Sequence, residues 1–161
     1  PFQFFLCNNK ALYAFFCPAS RRSFASAFIT GHIFVADADL AKDTSTAFRM
    51  DHSERSFAGV ASHEICHVMM RRRFGLWRAC KAPAWLNEGY AEYISGESSF
   101  PEEEGESLIS QGKEDESPSF RYFRYRRMVA FCLDEKGYRA EDLFCSPPPE
   151  EQIKEGTREW T

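Results

Sequence analysis

No apolar run in this chain approaches the length of a membrane span; the longest, at residues 2–6, has the length of a strand. A basic excess is missing too, since 20 Lys and Arg stand against 24 Asp and Glu, for a net charge of −4. Nucleic-acid partners demand a strong positive balance, so none is expected. The six cysteines (Cys7, Cys17, Cys66, Cys80, Cys132 and Cys145) form neither C-x-x-C pairs nor a dense disulfide framework, and their pairing stays open. There is no internal repeat. The sequence opens at Pro1 rather than at Met or a signal peptide and reads as a processed product or an excised piece, in which a targeting segment would not be visible.

What is present suits one globular domain. The 161 residues are 43% hydrophobic and include 16 Phe, ample for a single packed core. Strands are expected at 2–7, 23–29 and 33–36, with Thr30-Gly31 as a tight turn between the last two. Residues 10–16 read as a short helix that stops before Pro18. The polar stretch 37–51 lacks periodicity and is expected to be loop. Helices follow at 56–74, capped by Ser53 or Ser56 and closed at Gly75, and at 84–94, between Pro83 and Gly96. Another is expected at 120–135, ending at Gly137. Eight of the residues at 97–119 are Glu or Asp and only Lys113 is basic, so this segment is expected to be a solvated flexible loop, either plain connection or lid. The 146–161 tail, opening near three prolines, reads as polar with a short helix at best. Strands first and helices afterwards predict an α+β domain.

The chemistry concentrates at His63-Glu64-Ile65-Cys66-His67. Helical residues turn about 100° each, so positions four apart lie about 40° apart on one face. Two imidazoles then converge on one point, the start of a tetrahedral zinc site. Glu64 sits roughly 80° to the side, able to reach a water at the metal without serving as a ligand. A third ligand is available on the next expected helix, where Glu88 would complete a His-His-Glu set and leave one position open. Cys66 reads as a small buried residue rather than a ligand.

Beyond H-E-x-x-H, the stretch Trp85-Leu86-Asn87-Glu88-Gly89-Tyr90-Ala91-Glu92-Tyr93 resembles the gluzincin metallopeptidases, above all the peptidase MA-like domains. The resemblance implies a zincin-like fold with a small N-terminal β-sheet, one Zn²⁺ per chain, and a peptide or protein substrate. It implies Glu88 as the third ligand and Glu92, one turn on, as the carboxylate that orients a ligating histidine, His63 for preference. The interval from His67 to Glu88 is slightly longer than in the best-known gluzincins, and the extra length falls in a loop expected around 78–82. A tyrosine from a downstream helix donates to the oxyanion in such enzymes; Tyr122 is the better match and Tyr125 the second. The arginines after Tyr122 depart from the family pattern, and the run Arg121, Arg124, Arg126 and Arg127 reads as one wet helix face, neutralised by the acidic segment before it.

Aminopeptidase N relatives grip the substrate's free amine with a G-x-M-E-N motif. Here the corresponding place reads Gly31-His32-Ile33-Phe34-Val35, so an endopeptidase is expected, with this strand at a sheet edge where a peptide could pair. His32 and His52 read as structural or solvated, and Asp37-Ala38-Asp39 lacks the further oxygens of a calcium loop. Two alternatives use the same centre: a zinc-binding regulatory module with weak or no turnover, and a non-peptidase hydrolase. The presence of Glu64 favours an enzyme, because metal binding alone has no use for it.

Overall fold

The computed structural model describes residues 2–48 and 54–160, so Ser53 and His52 lie outside the described residues. The architecture is α+β: small sheets come first and helices dominate the rest. Two compact units divide the chain, Pro1–Met69 and Met70–Thr161.

The first unit opens with β1 (Gln3–Leu6), α1 (Lys10–Phe16), β2 (Ala25–Ala27) and β3 (His32–Val35). Asn9 caps α1 by accepting from the Ala11 and Leu12 amides. β3 pairs in parallel with β1 and antiparallel with β2, giving the order β1-β3-β2. The strand expected at a sheet edge is therefore the central one. Both its sides are engaged, which removes it as a template for an incoming peptide. The Thr30-Gly31 turn forms as expected, with Gly31 at a φ of 89°, a conformation that needs glycine.

The stretch expected as loop at 37–51 instead carries β4 (Asp37–Asp39) and β5 (Thr44–Thr46), which pair antiparallel and continue to β6 (Glu54–Ser56). Ser45 on β5 is buried and donates to the Asp37 carbonyl, so polar side chains close this sheet where apolar alternation is lacking.

Helix α2 (Phe57–Phe74) follows directly. Its first turn is satisfied by Ser56, whose hydroxyl accepts from the Gly59 amide at 2.8 Å, and by Asp43, which accepts from the Ala58 amide at 3.0 Å. Val60 joins Ala25, Ile33 and Val35 in one core cluster, and Phe57 and Ile65 pack around it. One side of α2 is thereby seated on the first sheet.

The second unit is helical: α3 (Leu76–Lys81), α4 (Ala84–Ser95), α5 (Glu102–Ser110), α6 (Pro118–Ala130), α7 (Ala140–Cys145) and α8 (Glu150–Glu159). A π-helical turn, Phe131–Glu135, continues α6. Three expectations are corrected here. Residues 78–82 belong mostly to α3 and its end rather than to a loop. The acidic segment contains the nine-residue helix α5, because Ile109 is buried and clusters with Phe120 and Phe123. The tail holds a ten-residue helix, α8, anchored by buried Ile153 and Thr157.

Charge explains why an acidic helix is stable at α5. On α5 Glu102 pairs with Arg126 and Glu106 with Arg127 at 2.7 Å, and beyond its end Glu114 pairs with Arg124. These arginines are only 16–19% exposed, so three of the four on the expected wet face are covered and ion-paired, and Arg121 is the exposed one. Solvent-exposed pairs are worth at most about 1 kcal/mol each, but here they also lay arginine stems over the core. All six thiols are free. Among the described residues no helix is long and apolar enough to cross a membrane.

Candidate metal centre

The two histidines are positioned by α2 alone. His63 is half-buried and His67 is 8% exposed, and their Nε2 atoms stand 3.1 Å apart. Two nitrogens at about 2.0–2.1 Å from one ion, at the tetrahedral angle, would be about 3.3 Å apart. The helix thus presents the pair at the separation a shared metal needs. Glu64 lies on the same turn with 9% exposure, a costly place for a carboxylate unless it has work there. Cys66 is buried, and burial pushes its thiol up to about 12. It stays protonated at neutral pH, as a core residue does and a ligand does not.

Glu88 and Glu92 are positioned by α4. Its N-terminus follows Pro83, and Gly96 ends it in a left-handed conformation at a φ of 71°, donating back to the Glu92 and Tyr93 carbonyls. Glu88 is half-buried and Glu92 is 2% exposed. The side chains of His63, His67 and Glu88 each bring one ligating atom into a group lying within 4.8 Å of one another. Two imidazoles and one carboxylate are the donor set of a catalytic zinc, which takes three protein ligands and keeps a fourth position open. The residues fit that metal.

Tyr122 and Tyr125 lie on α6, Tyr122 half-buried and Tyr125 9% exposed. Burial pushes the Tyr125 hydroxyl above its usual range; Glu150 adds to the push, and Glu88 adds a smaller one. Its proton is therefore held across the neutral range, and the hydroxyl remains a donor.

One further residue shapes the site. Gly89 follows Glu88 directly, and a Cβ there would stand 2.7 Å from the Tyr125 carbonyl carbon and 2.9 Å from Val129 Cγ2. Only a hydrogen fits, so α4 and α6 approach to backbone contact beside the Glu88 position. A glycine in the interior of an otherwise regular helix costs about 1 kcal/mol relative to alanine, and that cost was the available signal for this contact. Comparisons of the chain with protein-family models, with curated proteins and with solved structures find no match.

Proposed function

We propose that the chain is a zinc-dependent peptidase of the gluzincin type, zincin-like in fold, that cleaves interior peptide bonds. The observation that carries this reading is the 3.1 Å approach of the His63 and His67 Nε2 atoms, with the Glu88 carboxylate in the same group and Glu64 buried on the same turn. When bound, zinc supplies Lewis acidity that polarises the scissile carbonyl and lowers the pKa of a water. The rest falls to the protein's own side chains.

Glu64 takes the proton of the attacking water and delivers it to the leaving amine, a transfer that its low exposure favours by excluding bulk solvent. Glu92, buried one turn on from Glu88, is the carboxylate that would accept from the second ring N–H of a ligating histidine, His63 for preference, and so fix its tautomer and orientation. A tyrosine hydroxyl on α6, from Tyr122 or Tyr125, donates to the oxyanion as charge develops there. Gly31-His32-Ile33-Phe34-Val35 stands where aminopeptidase N relatives have G-x-M-E-N, which supports an endopeptidase over an aminopeptidase.

The test joins metal content to turnover. Protein purified without chelator should carry about one zinc per chain, and Glu64→Gln should keep that zinc and the fold while losing cleavage of a peptide library by about 10³-fold or more. Failure to take up zinc, or a Glu64→Gln variant as active as the parent, would sink the proposal.

A further inference from the structure

The two faces of the first sheet are covered very differently. Ile33 and Val35 of β3 join Ala25 and Val60 of α2 in one buried cluster. Successive residues of a strand face opposite ways, so Phe34 between them points to the other side. There Phe5 stacks on it at 4.8 Å and Phe16 at 4.9 Å, while Phe28 meets it edge-on at 5.3 Å. Phe15 extends the group, edge-on to Phe16 at 5.2 Å. The rings are contiguous, yet Phe5, Phe15, Phe16 and Phe28 are all exposed, Phe15 by 76%.

Helix α1 shows how this face is built. Its inward residue Tyr13 is buried with Cys17 and Ala36. Leu12, Phe15 and Phe16, at i, i+3 and i+4, form a second apolar stripe that is turned to solvent. A surface helix ordinarily keeps its outer face polar. Ile29, beside Phe28 at the tip of the β2–β3 hairpin, is 68% exposed. Together these side chains present on the order of 500 Å² of apolar surface, in the upper range of the largest patch on an ordinary monomer.

Charge decides what such a face fits. The chain is acidic overall, but residues 1–36 hold no Asp or Glu. They hold Lys10, Arg21 and Arg22, all exposed, the lysine opening α1 and the arginines standing between α1 and β2. The first carboxylates, Asp37 and Asp39, are engaged on β4 by Thr46 and Lys42. A second copy docked face to face would bring cations of one sign together. An anionic lipid surface attracts them instead, and it gives the rings an apolar phase directly beneath its charged layer.

We propose that this face docks on an anionic phospholipid membrane: Leu12, Phe15, Phe16 and Ile29 enter the boundary between headgroups and acyl chains, and Lys10, Arg21 and Arg22 meet the headgroups. The attachment is peripheral and reversible, because a few side chains and three cations supply far less than a spanning helix.

The test is co-sedimentation of the full chain with vesicles of phosphatidylcholine alone and of equal parts phosphatidylcholine and phosphatidylglycerol. Binding is expected to the anionic vesicles only, and it should weaken as salt is added. Lys10→Gln/Arg21→Gln should weaken it by about twentyfold, each cation near such a surface contributing about fivefold. Phe15→Ser/Ile29→Ser should weaken it by about tenfold or more. All four positions are exposed, and circular dichroism would verify that both variants fold. Insertion is read separately from Phe15→Trp, whose fluorescence should be quenched by bromine-labelled acyl chains beyond any quenching of the parent. Equal binding to both kinds of vesicle, variants that bind like the parent, or no added quenching would overturn the proposal. So would a dimer that Phe15→Ser/Ile29→Ser dissolves while the parent ignores vesicles, which gives the face to a second copy. Capture by soluble polyglutamate as strong as by the vesicles would give it to an acidic protein.

Discussion

Helices α2 and α4 place the proposed ligands in different ways. On α2 the separation of His63 and His67 is a property of the helix itself, and the helix is secured locally by Ser56, Asp43 and its contact with the first sheet. On α4 no side chain caps the N-terminus, and the place of Glu88 depends on backbone contact with α6 at Gly89. Two of the proposed ligands are thus preset by secondary structure and the third by packing within the second unit. The consequence is an unequal sensitivity to mutation: damage to packing in the second unit should reach the third ligand while leaving the histidine pair intact.

The largest expected effect comes from removing that third ligand. Glu88→Ala should weaken zinc retention by about 10³-fold in competition with a chelator, whereas Glu92→Ala should cost only about tenfold, the size of effect typical of a residue that orients a ligand. Equal losses would erase the distinction between holding the metal and orienting a histidine. Next, Gly89→Ala should destabilise the protein by about 3 kcal/mol in denaturant melts, because the new methyl group meets backbone rather than a side chain that can turn away. Gly96→Ala meets open space and strains only its left-handed backbone, for about 1 kcal/mol. If the two cost the same, the α4–α6 contact does not position α4.

Smaller still is the oxyanion donor. Phe at either Tyr122 or Tyr125 should lower turnover by about 10²-fold with binding little changed, and only one of the two should do so. A loss at Tyr125 alone would assign the role to the more buried of the two tyrosines. The least effect belongs to the well-secured helix: Ser56→Ala should cost about 1 kcal/mol of stability, read by thermal melts, and leave zinc content unchanged. A loss of zinc there would mean that the histidine pair is less self-sufficient than α2 suggests.

Sequence reading succeeded where signals were local. Helices α2 and α4 announced themselves through apolar spacing, a serine cap, Pro83 and Gly96, and the H-E-x-x-H spacing carried its own geometry. It failed where long-range partners decide. Glu-Glu-Glu-Gly-Glu at 102–106 reads as solvated until Arg126 and Arg127, some twenty residues on, supply the countercharge. Gly105 likewise looks like a breaker until Phe123 lies against it, with Cδ1 2.6 Å from where a Cβ would be. The strands β4 and β5 escaped notice because Asp-Ala-Asp and Thr-Ser-Thr carry no hydrophobic alternation; their pairing rests on backbone and hydroxyl hydrogen bonds. The central place of β3 was likewise beyond a local pattern, since parallel pairing with β1 joins strands separated by α1 and β2.

The π-helical turn at the end of α6 has its own consequence for how the protein tolerates changes in length. There the Lys136 amide reaches back to the Phe131 carbonyl at 3.0 Å, so the turn holds one more residue than a regular helix would. Within the same turn Asp134 accepts from the Tyr93 hydroxyl at 2.7 Å, and Phe131 fits against Gly156 of α8. Deleting a single residue between 131 and 135 would let the turn close with an ordinary i→i−4 bond while the chain downstream keeps nearly the same facing, because a π turn absorbs the extra residue within itself. The same deletion in a regular turn of α6 would rotate everything downstream by about 100°. Loss of one residue should therefore be tolerated better at 131–135 than earlier in α6.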